Sequence, residues 1–122
     1  MIGVLLVDDH VQFRRAARDL VEATPGFESL GEAESGEEAL RMLEHLDPGL
    51  VLLDVRLPGI DGIETARNIT AESPHPTVVL VSIDELADPS ATAESCGAAT
   101  FVRKRDLCPA TLSELWAQHG AP

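Results

Sequence analysis

Five short apolar runs alternate with five stretches of helical periodicity along the chain. The first run, residues 2–7, is nearly uninterrupted and ends in Asp8-Asp9-His10. A helical stretch over 11–24 follows, with Phe13, Ala17, Leu20, Val21 and Thr24 on one face, and Pro25-Gly26 stops it. Residues 27–33 read as a weaker second strand at a sheet edge. Ser35, with Glu38 three positions on, has the pattern of a capping box and opens a helix carrying Leu40, Leu43 and Leu46. After Pro48-Gly49 a third run, Leu50-Val51-Leu52-Leu53, ends at Asp54. Pro58-Gly59 and Asp61-Gly62 mark the next loop, and Ile63, Ala66 and Ile69 set the inward face of a helix closed by Ser73-Pro74-His75-Pro76. A fourth strand, 77–81, ends at Ser82. Asp88-Pro89 is an N-cap followed by proline at the first helical position, opening a short helix that ends by Gly97. A fifth strand, 99–103, ends at Lys104, and Pro109 opens a last helix carrying Leu112, Leu115 and Trp116 and stopped by Gly120.

Strands that are apolar on both faces, alternating with amphipathic helices, predict an α/β fold whose parallel sheet is covered on two sides. No linker, low-complexity tract or repeat interrupts the pattern, so 1–122 reads as one domain. A content of 44% hydrophobic and 25% charged residues suits a soluble globular domain. No apolar run approaches the roughly 20 residues that span a bilayer. The N-terminal run is short, lacks a basic start and meets Asp8-Asp9, which argues against a secretory leader. Cys96 and Cys108 are too few for a disulfide framework and read as free thiols in a reducing cytoplasm. A net charge of -12 is repelled by phosphate backbones and anionic lipid, which excludes direct nucleic-acid or membrane-surface binding by this chain.

In such a sheet the C-terminal strand ends lie along one edge, where ligands bind. Strand one delivers Asp8 and Asp9, strand three Asp54, strand four Ser82 and strand five Lys104, while the edge strand delivers nothing comparable. Carboxylates converging on one cleft repel one another and call for a cation. Oxygen ligands select a hard ion, and Mg2+, which keeps several waters, suits them better than zinc. A lysine and a hydroxyl in the same cleft are what a phosphoryl group needs, one as a point charge and the other as a hydrogen-bond donor. An aspartate can itself take the phosphoryl group as an acyl phosphate, the protein supplying position and charge neutralisation. Each residue alone has a plainer explanation: Asp8-Asp9 as a helix cap, Asp54 as a solvated strand-end acid, Ser82 as a turn cap, Lys104 as a surface lysine. Their joint occurrence at successive strand ends is what points to phosphoryl chemistry.

Three segments carry a family resemblance. They are Leu6-Val7-Asp8-Asp9-His10, Leu53-Asp54-Val55-Arg56-Leu57-Pro58-Gly59-Ile60-Asp61-Gly62, and Gly97-Ala98-Ala99-Thr100-Phe101-Val102-Arg103-Lys104. Together they resemble the motifs of receiver domains of two-component response regulators, over essentially the whole chain. The resemblance implies a flavodoxin-like (βα)5 three-layer sandwich with strand order 2-1-3-4-5. It implies that Asp54 accepts a phosphoryl group from a sensor histidine kinase or a phosphotransfer protein, with Lys104 and Ser82 assisting. Mg2+, or Mn2+ in its place, would bind Asp9 directly, Asp8 largely through water, Asp54, and the Arg56 backbone carbonyl. Ser82 and Phe101 stand at the switch positions, through which phosphorylation repacks the surface formed by the fourth helix, fifth strand and fifth helix. That surface would also serve a homodimer. The implied role is a cytoplasmic phosphorelay switch, not an enzyme acting on an external substrate.

The Asp-Asp-His segment and Asp106, two residues after Lys104, are closest to receivers that usually carry a C-terminal helix-turn-helix, here without the DNA-binding domain. Three features depart from the family pattern: Arg105 where many receivers have a cis-forming proline, Ile83 where a smaller residue is usual and where it would narrow access, and a short fourth helix. Phe101 lacks a hydroxyl, so its ring is expected to lie inward even without phosphate, and core packing is its plain alternative role. Arg56 and Asp84, each two residues past a site residue, overhang the cleft and could pair to shield an acyl phosphate from water, or stand as independent solvated charges. His10, His45, His75 and His119 form no cluster, and His10 simply begins the first helix. The Gly120-Ala121-Pro122 ending favours a stand-alone receiver over a segment of a DNA-binding regulator. The rivals are a Mg2+-dependent phosphatase with an aspartate nucleophile, from which the Asp8-Asp9-His10 segment departs by lacking a second acid two residues on, and a receiver that works without phosphorylation.

Overall fold

In the computed structural model, which describes residues 1–71, 75–84 and 86–120, alternation along the central strands fills both faces of one sheet. The strands are β1 (Ile2–Val7), β2 (Phe27–Ala33), β3 (Leu50–Asp54), β4 (Thr77–Ser82) and β5 (Thr100–Arg103). All neighbours are parallel and the order is β2-β1-β3-β4-β5. The helices are α1 (Val11–Glu22), α2 (Gly36–Met42), α3 (Gly62–Thr70), α4 (Pro89–Cys96) and α5 (Pro109–His119). This is the flavodoxin-like arrangement the motifs imply. Leu5, Val51, Leu53, Val78 and Leu80 pack beneath α2, α3 and α4 with Ala39, Ala66 and Ala93. Their alternate neighbours Val4, Leu6, Leu50, Leu52 and Val79 pack beneath α1 and α5 with Ala17, Val21 and Leu112. Side chains of period two thus build one layer of core on each face, and burial of both explains why these strands are apolar throughout.

Element ends differ from the periodic reading for local reasons. The 11–24 stretch is helical only to Glu22, where Thr24 turns its hydroxyl onto the Leu20 carbonyl at 2.7 Å and its N–H onto Val21. Helix α2 stops at Met42, because Glu44 and His45 bond the carbonyls three residues back, so Leu46 lies beyond the helix. Ser35 caps α2 by accepting from the Glu38 N–H, and Glu38 reaches back to the N–H of Glu34, one residue before the cap. Edge strand β2 carries a register irregularity at Leu30, a bulge of the kind that blunts an exposed edge. Helix α4 is short, capped by Asp88 and ended by Gly97 in the left-handed region at φ 81. The Lys104–Arg105 bond is trans, and Lys104–Asp106 forms a single 3-10 turn. The expected ends at Ser73-Pro74 and Ala121-Pro122 lie outside the described residues. Among the described residues no helix is long and apolar enough to cross a membrane.

Candidate functional site

Parallel register brings the acids together. Leu6 pairs with Leu52 and Val7 with Leu53, so one step further Asp8 stands beside Asp54 on the α1–α5 side of the pleat. Both are buried. Lys104, just past β5, extends over the Phe13 ring, its Nζ 4.2 Å from the centroid, and reaches the acids from the same side. Its Nζ lies 2.6 Å from Asp8 Oδ2 and 3.4 Å from Asp54 Oδ2. Asp54 Oδ1 accepts from the Arg56 N–H at 3.0 Å. Gly62, the first residue of α3, makes room for this turn: its N–H donates to the Val55 carbonyl at 2.8 Å, and a Cβ there would collide with the Asp54 carbonyl oxygen and Val55 Cα.

Ser82 ends β4, buried, and its Oγ accepts from the Asp84 N–H at 3.1 Å. A cleft of about 160 Å3 is lined by His10, Asp54, Arg56, Ser82, Ile83 and Asp84. Ile83 is 69% exposed at its rim. Arg56 Nη2 and Asp84 Oδ2 pair at 3.0 Å, with side chains 78% and 55% exposed. The two overhanging charges therefore meet, although such an exposed pair adds little to stability. Phe101 is half-buried against the Leu80–Ala93–Ala98 side of the core, and lines a groove of about 480 Å3 between α4 and β5.

Burial is the largest influence on Asp54 and pushes its carboxyl above the usual carboxylate range. The Arg56 N–H opposes that push, the charge of Asp8 adds to it, and Lys104 opposes it. The folded chain thus holds this proton to higher pH than the unfolded chain does. Between the two values the native state binds more protons, so stability falls as pH rises through that window, and ionised Asp54 is a net cost at neutral pH. Asp54→Asn is expected to raise the melting temperature of the metal-free protein at pH 7, with the gain disappearing below the ordinary carboxylate range. A lower melting temperature for the variant at pH 7 would contradict this assignment.

The donor set fits a hard divalent cation. Asp8 Oδ2 is buried with the Lys104 ammonium at 2.6 Å as its charge partner, so the cleft already gathers positive charge around its acids. Ligand atoms of Asp8, Asp9, His10 and Asp54 all fall within 4.8 Å of one another. Carboxylate oxygens so gathered suit Mg2+. His10, which adjoins the acidic pair in the sequence, lies beside it in space, away from the other histidines. Its backbone N–H donates to Asp8 Oδ1 at 2.8 Å, and its ring Nδ1 is hydrogen-bonded to the same oxygen at 3.1 Å. A second residue, Arg14, escaped the sequence reading. It is buried, donates to the Asp8 carbonyl at 2.7 Å, and pairs with Glu32 and Glu34 at 3.3 Å each, tying the β1–α1 turn to the end of β2. The available signal was its position three residues before Ala17, on the face that α1 buries.

This constellation at the C-terminal edge of a 2-1-3-4-5 sheet is that of a signalling receiver. The response regulator receiver domain family matches residues 4–114, and the chain belongs to that family. It is 33% identical over 118 residues to the nitrate/nitrite response regulator protein NarL of Escherichia coli K12, covering 97% of this chain and 54% of that protein. It is 39% identical over 105 residues to the response regulator GacA of Pseudomonas viridiflava, covering 85% of this chain and 49% of that protein. The chain therefore spans about half the length of these relatives. Among solved structures, a two-component response regulator of the LuxR family from Aurantimonas sp. SI85-9A1 superposes with a TM-score of 0.84 at 30% identity, covering 95% of this chain and 82% of that one.

Proposed function

We propose that the protein is a phosphorelay switch in which Asp54 accepts a phosphoryl group from a phosphohistidine of a sensor histidine kinase or phosphotransfer protein. The observation that carries this reading is Lys104 Nζ reaching both buried acids, Asp8 at 2.6 Å and Asp54 at 3.4 Å. An Asp54 carboxylate oxygen attacks phosphorus, the P–O bond forms as the P–N bond breaks, and the departing imidazole retains the electron pair and takes up a proton. Lys104 neutralises charge on the transferred group, and Ser82, whose Oγ accepts from Asp84 N–H, keeps its own hydroxyl proton for a phosphoryl oxygen. Asp8, Asp9, Asp54 and the Arg56 carbonyl would hold Mg2+, or Mn2+ in its place. When bound, that ion would supply charge neutralisation and orientation of the oxygens.

Output then follows from a population shift at the α4-β5-α5 surface, driven by Ser82 and Phe101, with a homodimer through that surface as one consequence. The setting is the cytoplasm, and the chain turns over no external substrate. A second reading, the receiver portion of a DNA-binding regulator, is favoured by the share of NarL and GacA that the chain covers. An encoded continuation beyond Pro122 with a helix-turn-helix pattern would decide for it. The test against an aspartate-nucleophile phosphatase is incubation with a small aryl phosphate. The switch reading expects at most stoichiometric transfer, and sustained turnover overturns it.

Ile83 and the Arg56–Asp84 pair tune the lifetime of the acyl phosphate in this reading, by narrowing the approach of water to the cleft. Arg56→Ala with Asp84→Ala is expected to shorten the phosphorylated half-life severalfold, followed by loss of the phosphate adduct with time. Equal half-lives in wild type and double variant would leave the pair as surface charge only.

A further inference from the structure

We propose that His10 is an additional ligand of the divalent-cation site, so that the site takes borderline transition ions such as Co2+ more tightly than carboxylates alone would. The inference rests on the reading of Asp8, Asp9 and Asp54 as cation ligands. His10 Nδ1 lies 3.1 Å from Asp8 Oδ1 and 3.2 Å from Asp9 Oδ1. Donor atoms about 2.1 Å from one ion, at octahedral or tetrahedral angles, stand about 3.0–3.4 Å apart when adjacent. The contact with Asp8 Oδ1 is a hydrogen bond of the ring nitrogen, and the same spacing suits a neighbouring ligand in one coordination shell.

The ring is held there by Nδ1 on Asp8 Oδ1 and beside Asp9 Oδ1, and the backbone adds a further tie. His10 is the N-cap residue of α1, makes no side-chain capping bond, and is anchored by its N–H on Asp8 Oδ1. Its side chain is 62% exposed, so an ion can reach it from the cleft that it lines with Asp54 and Arg56. Ligand atoms of His10, Asp8, Asp9 and Asp54 all lie within 4.8 Å of one another, which lets a single ion reach all four. Imidazole adds little for Mg2+, which prefers oxygen. It adds much for Co2+, Ni2+ and Zn2+, which rank above Mn2+ for nitrogen-containing sites.

The test is isothermal titration calorimetry of the tag-free chain with CoCl2 and, separately, MgCl2, on wild type, His10→Asn and Asp9→Asn, with visible spectra of the Co2+ forms. Asparagine is a favoured N-cap residue, so the start of α1 is preserved. His10→Asn is expected to weaken Co2+ binding by about tenfold or more, with Mg2+ binding changed by less than about twofold. Equal Co2+ affinity in wild type and His10→Asn overturns the proposal, as does an equal loss for both ions or a thiolate charge-transfer band assigning Co2+ to Cys108. Those results leave the Mg2+ site standing. A wild type that binds neither ion, or an Asp9→Asn variant that loses nothing, overturns the cation-site reading along with it.

Discussion

Lys104→Met destabilises the metal-free protein by about 3 kcal/mol and slows phosphoryl uptake by roughly 10²-fold. The side chain of Lys104 is 10% exposed and that of Asp8 2%, so their 2.6 Å contact is sheltered from solvent. Removing one member of such a pair leaves the other as an uncompensated buried charge, here with Asp54 alongside to repel it. Methionine retains an unbranched stem to lie over Phe13, which isolates the charge from the packing. Urea unfolding in chelator measures the first effect, and saturating Mg2+ is expected to restore part of the loss because a cation again stands among the acids. The second effect arises because charge on the transferred group would lose a positioned cation. Single-turnover uptake from acetyl phosphate measures it. Wild-type stability and rate in the variant would remove Lys104 from the account.

Gly62→Ala is the second large effect, at the junction between fold and site. The added methyl group would occupy the space of the Asp54 carbonyl oxygen, which is backbone and cannot swing aside as a long side chain can. Either α3 retreats from the end of β3, lengthening the 2.8 Å bond from the Gly62 N–H to Val55, or the Asp54–Val55 peptide turns. Overpacking of this kind costs about 1–3 kcal/mol. Displacing the nucleophile by about 1 Å costs roughly 10²-fold in rate. Chemical denaturation and uptake kinetics, the latter at a temperature where the variant remains folded, are expected to report both losses. A variant with unchanged stability and uptake would mean that the α3 start does not constrain Asp54.

What the sequence disclosed follows from what each feature depends on. The apolar runs around Leu5, Leu52 and Leu80 were legible because a strand buried on both faces must be apolar throughout, and that requirement is local. The strand-end residues Asp8, Asp54, Ser82 and Lys104 were legible because parallel order fixes which ends share an edge. Helix ends were less so: Leu46 has the spacing of a core position, yet the i→i+3 bonding of Glu44 and His45 unwinds α2 before it. The role of Arg14 is not legible because it is set by Glu32 on β2 and Glu34 just past it, and a charged residue within an amphipathic helix normally faces water. His10 begins α1 as its place in the sequence predicts, and its ring position comes from contacts with Asp8 and Asp9 that residue types alone do not specify. The sequence leaves Arg56 and Asp84 either paired or separately solvated, since both overhang the cleft from adjacent strand ends, and the structure pairs them.

Asp54 is the residue expected to carry the phosphoryl group, and incubation with acetyl phosphate and Mg2+, read by intact mass, puts that to the test. A single phosphate adduct is expected in wild type, absent when divalent cations are chelated and absent in Asp54→Asn. An adduct of undiminished yield in Asp54→Asn would contradict the account.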